Sequence, residues 1–445
     1  MNWASLVNDK RFGLEDYHDP KKNHTRTDFR RDYDRLVFSS PFRRLQNKTQ
    51  VFPLPGSIFV HNRLTHSMEV ACVGKSMADN IAVALTIKHG AAGEPTEHFS
   101  HLGDIVAAAC LAHDLGNPPF GHSGEKAIGT FFSEGEGLRL KPMFTPGQWS
   151  DLVNFEGNAN AFRLLTHQFN GRRKGGFAMT YSTLASIVKY PYESVLSTKG
   201  KFGFFTTERD DFEKVARELG MLRLSAEGEP LRYARHPLVY IVEAADDICY
   251  EVMDIEDAHK LKILSTAEVS ELLLGFFDSG RRAHMEKVMA GVEDPNEKIA
   301  YLRSCVVGAL VEQCAQAFIE NEDAILSGTF EGSLLKHIRA LERDGYSRCS
   351  ELSVRKIYRS AEVVDIELAG NRIITFLLER LVGAVLEPEL NYSRLLLAKF
   401  PEQYDVQADT QFGKVQAVLD HVSAMTDVYA LDLYRKLNGM SLPAV

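Results

Sequence analysis

The densest group of residues able to do chemistry lies in the stretch 111–125, which reads LAHDLGNPPFGHSGE. His113 and Asp114 are adjacent and follow an apolar run, and a Gly-Asn-Pro-Pro turn then ends that helix. His122 and Glu125 are three residues apart, which places them on one face of the next helical turn. A single histidine at a helix end is more often structural. The combination of imidazoles and carboxylates, however, indicates a metal site or general acid–base catalysis.

A metal ion at this His-Asp pair needs ligands from other helices, because adjacent helical residues point about 100° apart. One candidate is His66, which shares a helix face with Arg63. Another is one of two adjacent aspartates, Asp246 and Asp247, within an otherwise apolar helix. Two histidines and two carboxylates suit Mn²⁺, Fe²⁺, Co²⁺ or Zn²⁺, and Mg²⁺ less ideally.

Helical periodicity indicates which of the two aspartates faces inward. Asp246 lies on an apolar stripe formed by Val242, Cys249, Tyr250 and Met253. Asp247 lies on a polar stripe formed by Glu243, Glu251 and Asp254. We therefore expect Asp246 to point into a buried pocket and Asp247 to point toward solvent or a salt bridge. A buried carboxylate needs a cation or a hydrogen-bond network, so Asp246 is either a metal ligand or a structural bridge.

The elements that carry these residues are predicted to be helices, and we expect an all-α, mainly helical fold. Apolar residues recur at helical spacing in 375–386, where Pro388 stops the helix. Similar patterns occur in 238–258, 266–277, 298–320, 410–425 and 426–437. Alternating strand patterns are scarce, and the glycines and aromatic residues of 197–208 allow at most a short hairpin.

Composition places the 445-residue chain among soluble globular proteins, with 44% apolar and 25% charged residues and a formal charge of −9. A chain of this length can bury a large core, which excludes disorder or a disulfide scaffold for the whole chain. Its net acidity argues against a general DNA coat, which must neutralise phosphates. The six cysteines contain no CxxC pair and the first residues contain no apolar signal segment. We therefore expect reduced thiols, a cytoplasmic location and no membrane span.

Two locally basic segments are candidate contacts for anions or nucleic acid. Segment 21–50 contains nine Lys or Arg residues against three Asp, and 172–174 is Arg-Arg-Lys followed by two glycines. A solvated, salt-bridged helix is the simpler interpretation of the first segment. An exposed loop is the simpler interpretation of the second.

The ordered motifs resemble those of the HD-domain phosphohydrolases and, more narrowly, of the deoxyguanosinetriphosphate triphosphohydrolase (dGTPase) family. The matching segments are 42–51 (FRRLQNKTQV), 63–66 (RLTH), 113–125 (HDLGNPPFGHSGE), 154–158 (NFEGN), 189–191 (KYP), 243–250 (EAADDICY), 425–427 (MTD) and 429–431 (YAL). They follow the family's order over most of the chain. Asn117 replaces the histidine most common after HDLG, and Ala424 stands where a glycine usually precedes MTD. Neither departure falls at a metal-ligand position.

The resemblance implies a role for each matching residue. It implies that the metal ligands are His66, His113, Asp114 and Asp246, and the choice of Asp246 agrees with the periodicity argument. It also implies that His122 and Glu125 are the catalytic pair. The implied substrate-binding residues are Gln50, Arg63, Asn158, Lys189, Tyr190, Lys201, Tyr250 and Asp254. Without the family, the lysines would be read as solvated, Tyr250 as a core aromatic and Asn158 as part of a helix cap.

The function implied by the resemblance is metal-dependent hydrolysis of deoxynucleoside triphosphates to deoxynucleoside and inorganic triphosphate. Among these substrates dGTP is the one most favoured. Mn²⁺ or Mg²⁺ is the implied cofactor, with Co²⁺, Fe²⁺ and Zn²⁺ as alternatives, and a homo-oligomer, preferably a hexamer, is the implied assembly. One alternative is another HD phosphohydrolase, acting on a nucleoside monophosphate or a cyclic dinucleotide. The other is a nucleic-acid-binding regulatory protein with a residual pocket. Binding of single-stranded DNA is compatible with hydrolysis.

The motifs also suggest a division of the chain. Residues 1–60 are predicted to contribute to the nucleotide pocket. Residues 61–258 are predicted to form the HD metal-dependent core, and residues 259–445 a helical region packed on that core.

Overall fold

The computed structural model describes residues 1–19, 26–52 and 60–440, and this part of the chain is built of helices. The helices of the first half are α1 (Trp3–Leu6), α2 (Asp28–Val37), α3 (Ser40–Arg44), α4 (Arg63–Ala91), α5 (Leu102–Ala112), α6 (Gly121–Ser133), α7 (Pro146–Val153), α8 (Gly157–Thr166), α9 (Tyr181–Ile187) and α10 (Arg209–Glu218). Those of the second half are α11 (Pro237–Lys260), α12 (Thr266–Leu274), α13 (Ser279–Ala290), α14 (Pro295–Glu320), α15 (Glu322–Leu326), α16 (Ala340–Leu352), α17 (Ala361–Leu386), α18 (Asn391–Leu397), α19 (Gln411–Ser423) and α20 (Asp427–Leu437). The all-α prediction is confirmed.

The predicted helices match observed ones, with ends that differ by a few residues. Segments 238–258, 266–277, 298–320, 410–425 and 426–437 correspond to α11, α12, α14, α19 and α20. The pattern at 375–386 is only the second half of α17, which begins at Ala361. The first turns of α17 mix acidic residues with apolar ones, of which Val364 and Leu368 are exposed, so no regular apolar stripe marks them.

The hairpin allowed for 197–208 does not form. The described residues there make one isolated bridge, between Glu193 and Phe204, and no strand ladder. The aromatic residues behind the expectation are buried, but they face two different cores. Phe204 stacks on Phe212 at 4.4 Å in the main core, whereas Phe202 and Phe205 belong to a second core. The aromatic residues cluster in this segment because it packs against a core on each side, and not because one face of a β-sheet is buried.

The main core forms around α4, α5, α11 and α14, and α4 and α11 each pack directly on the other three helices. Every residue of Ile105–Ala112 in α5 is buried, which explains its unbroken apolar run. Helices α4 and α14 are long and apolar enough to cross a membrane by length and composition alone, and core helices share these properties. All six cysteines are unpaired and four are buried, which agrees with the expectation of free thiols.

A second core joins the C-terminal helices to α6. Residues from α6, α17, α19 and α20 pack together there, among them Phe132, Leu377 and Val418. The buried Arg163 of α8 ties this core to the rest of the protein. Its guanidinium lies 2.8 Å from two Asp420 oxygens and also binds Glu208, as in the strong bidentate pairs that arginine forms with carboxylates.

Local capping sets where two important helices begin. The Asn62 side chain accepts from Thr65 N, and the Thr65 hydroxyl accepts from Asn62 N, which is a capping box at the start of α4. Helix α11 begins with Pro237, and the buried His236 caps it by accepting a hydrogen bond from Leu238 N. Both helices therefore start at defined residues, which fixes the register of the polar side chains within them.

The buried cap at His236 predicts a pH dependence of stability. Burial lowers its pKa from 6.5 to about 4, so the unfolded chain takes up the proton first as pH falls. The contribution of neutral His236 to the free energy of unfolding is complete above pH 6.5 and is lost as pH falls toward 4. Its magnitude is roughly 3 kcal/mol. His236→Asn keeps a capping side chain without the titration, so its free energy of unfolding should decline less than the parent's over this window.

Urea unfolding at a series of pH values measures this difference. The exposed His284→Asn in α13 is the control and should follow the parent curve. If parent and His236→Asn lose stability in parallel between pH 6.5 and 4, the buried histidine is not responsible.

Candidate active site

Side chains from α4, α5 and α11 converge on one point. His66 Nε2 lies 3.0 Å from Asp246 Oδ1, and His113 Nε2 lies 3.4 Å from the same oxygen. His113 Nε2 is also 3.6 Å from Asp114 Oδ1. The candidate ligand atoms of His66, His113 and Asp114 all lie within 4.8 Å of one another. The four residues implied as ligands thus form one cluster, which we call the donor cluster.

The residues of the donor cluster fit a divalent cation. His113 Nδ1 donates a hydrogen bond to the Cys110 carbonyl at 2.6 Å, which leaves Nε2 with a lone pair directed at the cluster. That Nε2 is buried and has no hydrogen-bond partner of good geometry among the described residues. Two imidazole nitrogens and two carboxylates suit a borderline divalent ion.

The charges of the donor cluster also favour the binding of a cation. Burial lowers the pKa of His113, but the charges of Asp114 and Asp246 outweigh burial and raise it to about 9. Burial raises the pKa of Asp246, yet its contacts with His113 and His66 hold it well below 3.8. The Arg63 guanidinium lies 2.6 Å from Asp114 Oδ2. The positive charges of protonated His113 and of the Arg63 guanidinium therefore balance the negative charges of the carboxylates. A bound cation would take the place of the imidazole proton.

A tight turn connects the donor cluster to a second pair of reactive groups. The chain leaves α5 at His113 and enters α6 through Phe120 and Gly121, whose φ angles are 62° and 57°. This turn places His122 and Glu125 in the first turns of α6, beside the cluster.

His122 and Glu125 form a hydrogen-bonded pair. His122 Nδ1 lies 2.9 Å from Glu125 Oε2, and Glu125 Oε1 accepts from Gly157 N at 2.9 Å. The imidazole is 64% exposed, whereas the carboxylate is buried. Burial raises the pKa of Glu125, but its contacts with His122 and Lys201 outweigh burial and lower the pKa below 4.5. The carboxylate is thus a fixed anion that orients a more accessible imidazole.

Glycine at 157 is required by this arrangement. A Cβ there would lie 1.9 Å from Asn117 Oδ1 and 2.6 Å from Glu125 Oε1. The glycine lets the N-terminus of α8 approach the pair directly.

One cavity of about 320 Å³ joins these groups. The predicted site residues that line it are Gln50, Arg63, His113, Asp114, His122, Glu125, Asn158, Lys189, Tyr190, Lys201, Asp246 and Tyr250. His66 contacts Asp246, is 2% exposed and does not itself line the cavity. Asp254 is buried and does not line the cavity. The structure therefore brings together nearly the whole predicted set, whereas the role of each residue stays a prediction.

The lysines of the cavity are paired with carboxylates. Lys189 Nζ lies 3.2 Å from Glu243, and Lys201 Nζ lies 2.9 Å from Glu156 and 3.7 Å from Glu125. Burial lowers the pKa of each lysine, but these acidic neighbours outweigh burial and raise it above 10.5. Both ammonium groups are therefore charged and could exchange a carboxylate partner for an anionic ligand.

Asn158 and Gln50 contribute in different ways. The Asn158 side chain donates to Ile187 O at 2.6 Å and accepts from Lys189 N at 3.1 Å, so it holds the segment that carries Lys189. Glu156 accepts from Asn158 N at 2.8 Å and caps α8, as the simpler interpretation of this motif expects. Gln50 Oε1 is buried and has no hydrogen-bond partner in the described part of the chain.

Sequence reasoning missed Tyr358, which packs against Tyr250, a residue that lines the cavity. Its ring stacks on Tyr250 with centroids 5.9 Å apart, and its hydroxyl donates to Asp254 Oδ2 at 2.9 Å. It follows a π-helical turn, Ser353–Ile357, far along the chain from Tyr250. No local pattern marks it, since only the fold brings the two aromatic rings together.

The prediction that Asp247 points toward solvent or a salt bridge is wrong. Asp247 lines the same cavity as Asp246, and burial raises its pKa to about 7. The polar stripe of α11 is covered by another part of the protein rather than by water. Ser353 donates to Glu251 at 2.5 Å and Tyr358 donates to Asp254.

Asn117, one of the two departures from the family pattern, contacts a predicted metal ligand. Its side-chain amide donates to Asp114 Oδ1, and it lines the cavity. Asn117 follows Asp114 by three residues at the end of a helix, where the chain turns back toward the donor cluster. It therefore orients one of the predicted ligands.

Comparison with known proteins places the chain among characterised families. Residues 63–151 match the HD domain, and residues 349–436 match the phosphohydrolase-associated domain. A "Deoxyguanosinetriphosphate triphosphohydrolase-like protein" of Synechocystis sp. is 35% identical over 99% of this chain and 100% of its own length. One of the same name from Pseudomonas aeruginosa is 35% identical over the whole of both chains. A "Deoxyguanosinetriphosphate triphosphohydrolase" of Yersinia enterocolitica is 30% identical over 92% of this chain and 93% of its own.

We predict that substitutions of the two adjacent aspartates affect metal binding differently. Asp246→Asn removes the negative charge of the carboxylate that contacts both His66 and His113, so Mn²⁺ affinity should fall by more than about 100-fold, beyond the usual loss from an outer contact. Asp247→Asn changes the cavity wall but none of these contacts, so affinity should stay within about 10-fold of the parent's. Titration of Mn²⁺ into each metal-free protein, followed by electron paramagnetic resonance, measures both. Equal affinities in the two variants would remove Asp246 from the ligand set.

Proposed function

The chain belongs to the dGTPase-like family of HD-domain phosphohydrolases, and from this premise we propose that it hydrolyses deoxynucleoside triphosphates, with dGTP favoured. The products would be deoxynucleoside and inorganic triphosphate. The observation that carries the proposal is the single cavity that joins the donor cluster, the His122–Glu125 pair and the positive charges of Arg63, Lys189 and Lys201. These groups match the needs of attack at an α-phosphorus.

The donor cluster would hold a divalent cation, with Mn²⁺ or Mg²⁺ preferred. When bound, the cation would supply Lewis-acid polarisation of the α-phosphate. His66, His113, Asp114 and Asp246 would hold it. Asn117 and Cys110 would orient their oxygen and nitrogen atoms through the hydrogen bonds described above.

The His122–Glu125 pair would move a proton during the reaction. Because Nδ1 faces Glu125, Nε2 is the ring atom that can exchange a proton with water or with the departing 5′ oxygen. Glu125 holds the ring in place and is itself held by Gly157. The chemistry needs one proton to reach the leaving oxygen, and His122 is the accessible group placed to handle it.

The remaining residues would bind the substrate. Lys189 and Lys201 would exchange Glu243 and Glu156 for phosphate oxygens, which suits a triphosphate of high charge. The ring of Tyr250, which stacks on Tyr358, would provide a flat wall for the deoxyribose. A ribose 2′-hydroxyl placed against this wall would lose its hydration, which disfavours ribonucleotides.

The products of the reaction test the proposal. The Mn²⁺-loaded protein should convert dGTP to equal amounts of deoxyguanosine and tripolyphosphate, and GTP should react far more slowly. The other three deoxynucleotides, run in parallel, define the breadth of specificity. The products are identified and quantified by chromatography that resolves nucleosides, nucleotides and phosphates. Formation of dGMP with pyrophosphate, or no turnover at all, would contradict the proposal.

The same assay tests the role of His122 with a matched control. His122→Ala should lower kcat by about 10²–10⁴-fold, the usual share of a general acid or base, while Mn²⁺ affinity is kept. Lys126→Ala changes an exposed residue on the same helix, one turn later, and should keep the parent kcat. A parent-like kcat for His122→Ala would make His122 a structural residue.

A second candidate activity, binding of single-stranded DNA, is favoured by the convergence of the two basic segments. Arg35 donates to the Phe177 carbonyl at 2.8 Å, and the Arg172 guanidinium lies 5.7 Å from the Phe177 ring centre. Arg173 and Lys174 are exposed beside them. Not all of segment 21–50 contributes: Lys48 is 2% exposed, and Lys21 and Lys22 lie outside the described residues.

This candidate has its own test. Lys174→Glu should weaken binding of a single-stranded oligonucleotide, and the dependence of log affinity on log salt should become shallower by about 1. Lys287→Glu places the same charge change on the exposed side of α13 and should have little effect. Equal salt dependence for parent and Lys174→Glu would exclude this surface.

We also propose a homo-oligomer, with a hexamer favoured, in a cytoplasmic setting. The family resemblance is the main support. An exposed apolar strip on α4 adds to it, since Val83 and Ile87 lie one turn apart and are 64% and 68% exposed. Light scattering of the purified protein determines the assembly.

A further inference from the structure

Phe120 has an unusual backbone conformation at a critical place in the chain. It is the residue before α6, with φ at 62° and ψ at 18°, and its side chain makes no capping hydrogen bond. The left-handed region is disfavoured for a bulky residue, so other parts of the protein must hold it there. His122 follows by two residues, and the orientation of its ring depends on this turn.

The C-terminal helix α20 supplies one restraint. Asp427, its first residue, is buried and accepts two backbone hydrogen bonds through its carboxylate. Oδ1 accepts from Phe120 N at 2.9 Å, and Oδ2 accepts from Thr49 N at 2.8 Å. One side chain thus fastens the turn before α6 to the segment that precedes Gln50.

Lys48 reinforces the same junction. Its buried Nζ donates to Asn117 O at 2.5 Å and to Ser423 O, at the end of α19, at 2.8 Å. Its carbonyl accepts from Arg63 N at 3.2 Å at the start of α4. The turn from Asn117 to Phe120 is therefore held at both ends by contacts that involve α19 and α20.

Helix α17 restrains the turn from another side. A Cβ added to Gly370 would lie 2.8 Å from both Cβ and Cγ of Phe120, so the ring packs directly against the helix backbone. The Ser123 hydroxyl also donates to the Glu367 carbonyl at 3.0 Å. Three C-terminal helices thus enclose the turn that leads to His122.

We propose that Asp427 is a positioning residue, which clamps Phe120 in its left-handed conformation and thereby sets the His122 ring for proton transfer. The part that Asp427 plays in catalysis rests on the proposed function. It gives the C-terminal region a specific part in the reaction, although that region contributes no predicted metal ligand or phosphate contact.

Asp427→Asn in the full-length protein tests the clamp. The amide replaces one acceptor oxygen with an NH₂ group, which cannot accept from Phe120 N and Thr49 N at once. We expect kcat for dGTP to fall by about 10–100-fold, the scale of a small misplacement of a catalytic group. Mn²⁺ affinity should stay within about threefold, because the donor cluster does not contact Asp427. Amides in residues 117–123 should exchange with deuterium faster than in the parent.

A matched control separates positioning from stability. Thr426→Ala removes the cap of α20, where the Thr426 hydroxyl accepts from Tyr429 N, and it leaves the Asp427 carboxylate in place. It should lower the melting temperature while kcat and the exchange of 117–123 stay parent-like. Gly370→Ala provides a second route, since it pushes on Phe120 from α17. It should reproduce the selective fall in kcat.

Two results would overturn the proposal. One is parent-like exchange of 117–123 in Asp427→Asn, and the other is a fall in kcat no larger than that of Thr426→Ala. The exchange measurement needs no turnover, so it decides whether Asp427 orders the turn even if the parent protein does not hydrolyse deoxynucleotides. Failure of the proposed function is thus distinct from failure of the clamp.

Discussion

The structure depends on the accommodation of negative charge in its interior. Asp114 and Asp246 stand beside two imidazoles at the wall of the cavity, against the core helices, and carboxylates drawn partly out of water are costly unless they are paired. Arg63 and protonated histidine meet part of that charge, and the hydrogen bonds around them fix the geometry. The helices that supply these groups, α4, α5 and α11, are also the helices of the main core. Core packing and charge balance therefore constrain the same segments, and neither can change without the other.

Much of this arrangement could be predicted from the sequence, because it follows from local rules. Helical periodicity identified α11 and placed Asp246 on its buried side, and a tight turn after His113 indicated a second helix with His122 and Glu125. The cavity contains most of the predicted residues, which the order of motifs already linked. Asp247 shows the limit of periodicity. A polar stripe indicates only that a face is not apolar, and here the hydroxyls of Ser353 and Tyr358 cover that face instead of water.

The features that could not be predicted are those created by contacts distant in sequence. Tyr358 has no recognisable motif and gains its place through stacking on Tyr250 and a hydrogen bond to Asp254. The lysines gave no sign that each would be held by a carboxylate in the cavity. Such pairing keeps positive charge ordered inside an acidic protein, and it makes a highly charged anion the natural competitor for those lysines.

The bond between Thr49 and Asp427 spans 378 residues, and that between Lys48 and Ser423 spans 375. Each of these contacts can form only after both of its partners and the chain between them have been synthesised. During synthesis at the ribosome, every predicted metal ligand has been made long before α20 appears. A nascent chain could therefore assemble its donor atoms early, whereas the turn before α6 would gain its last restraint only after α20 has been synthesised. The order of translation itself would then separate assembly of the donor atoms from assembly of the turn that orients His122.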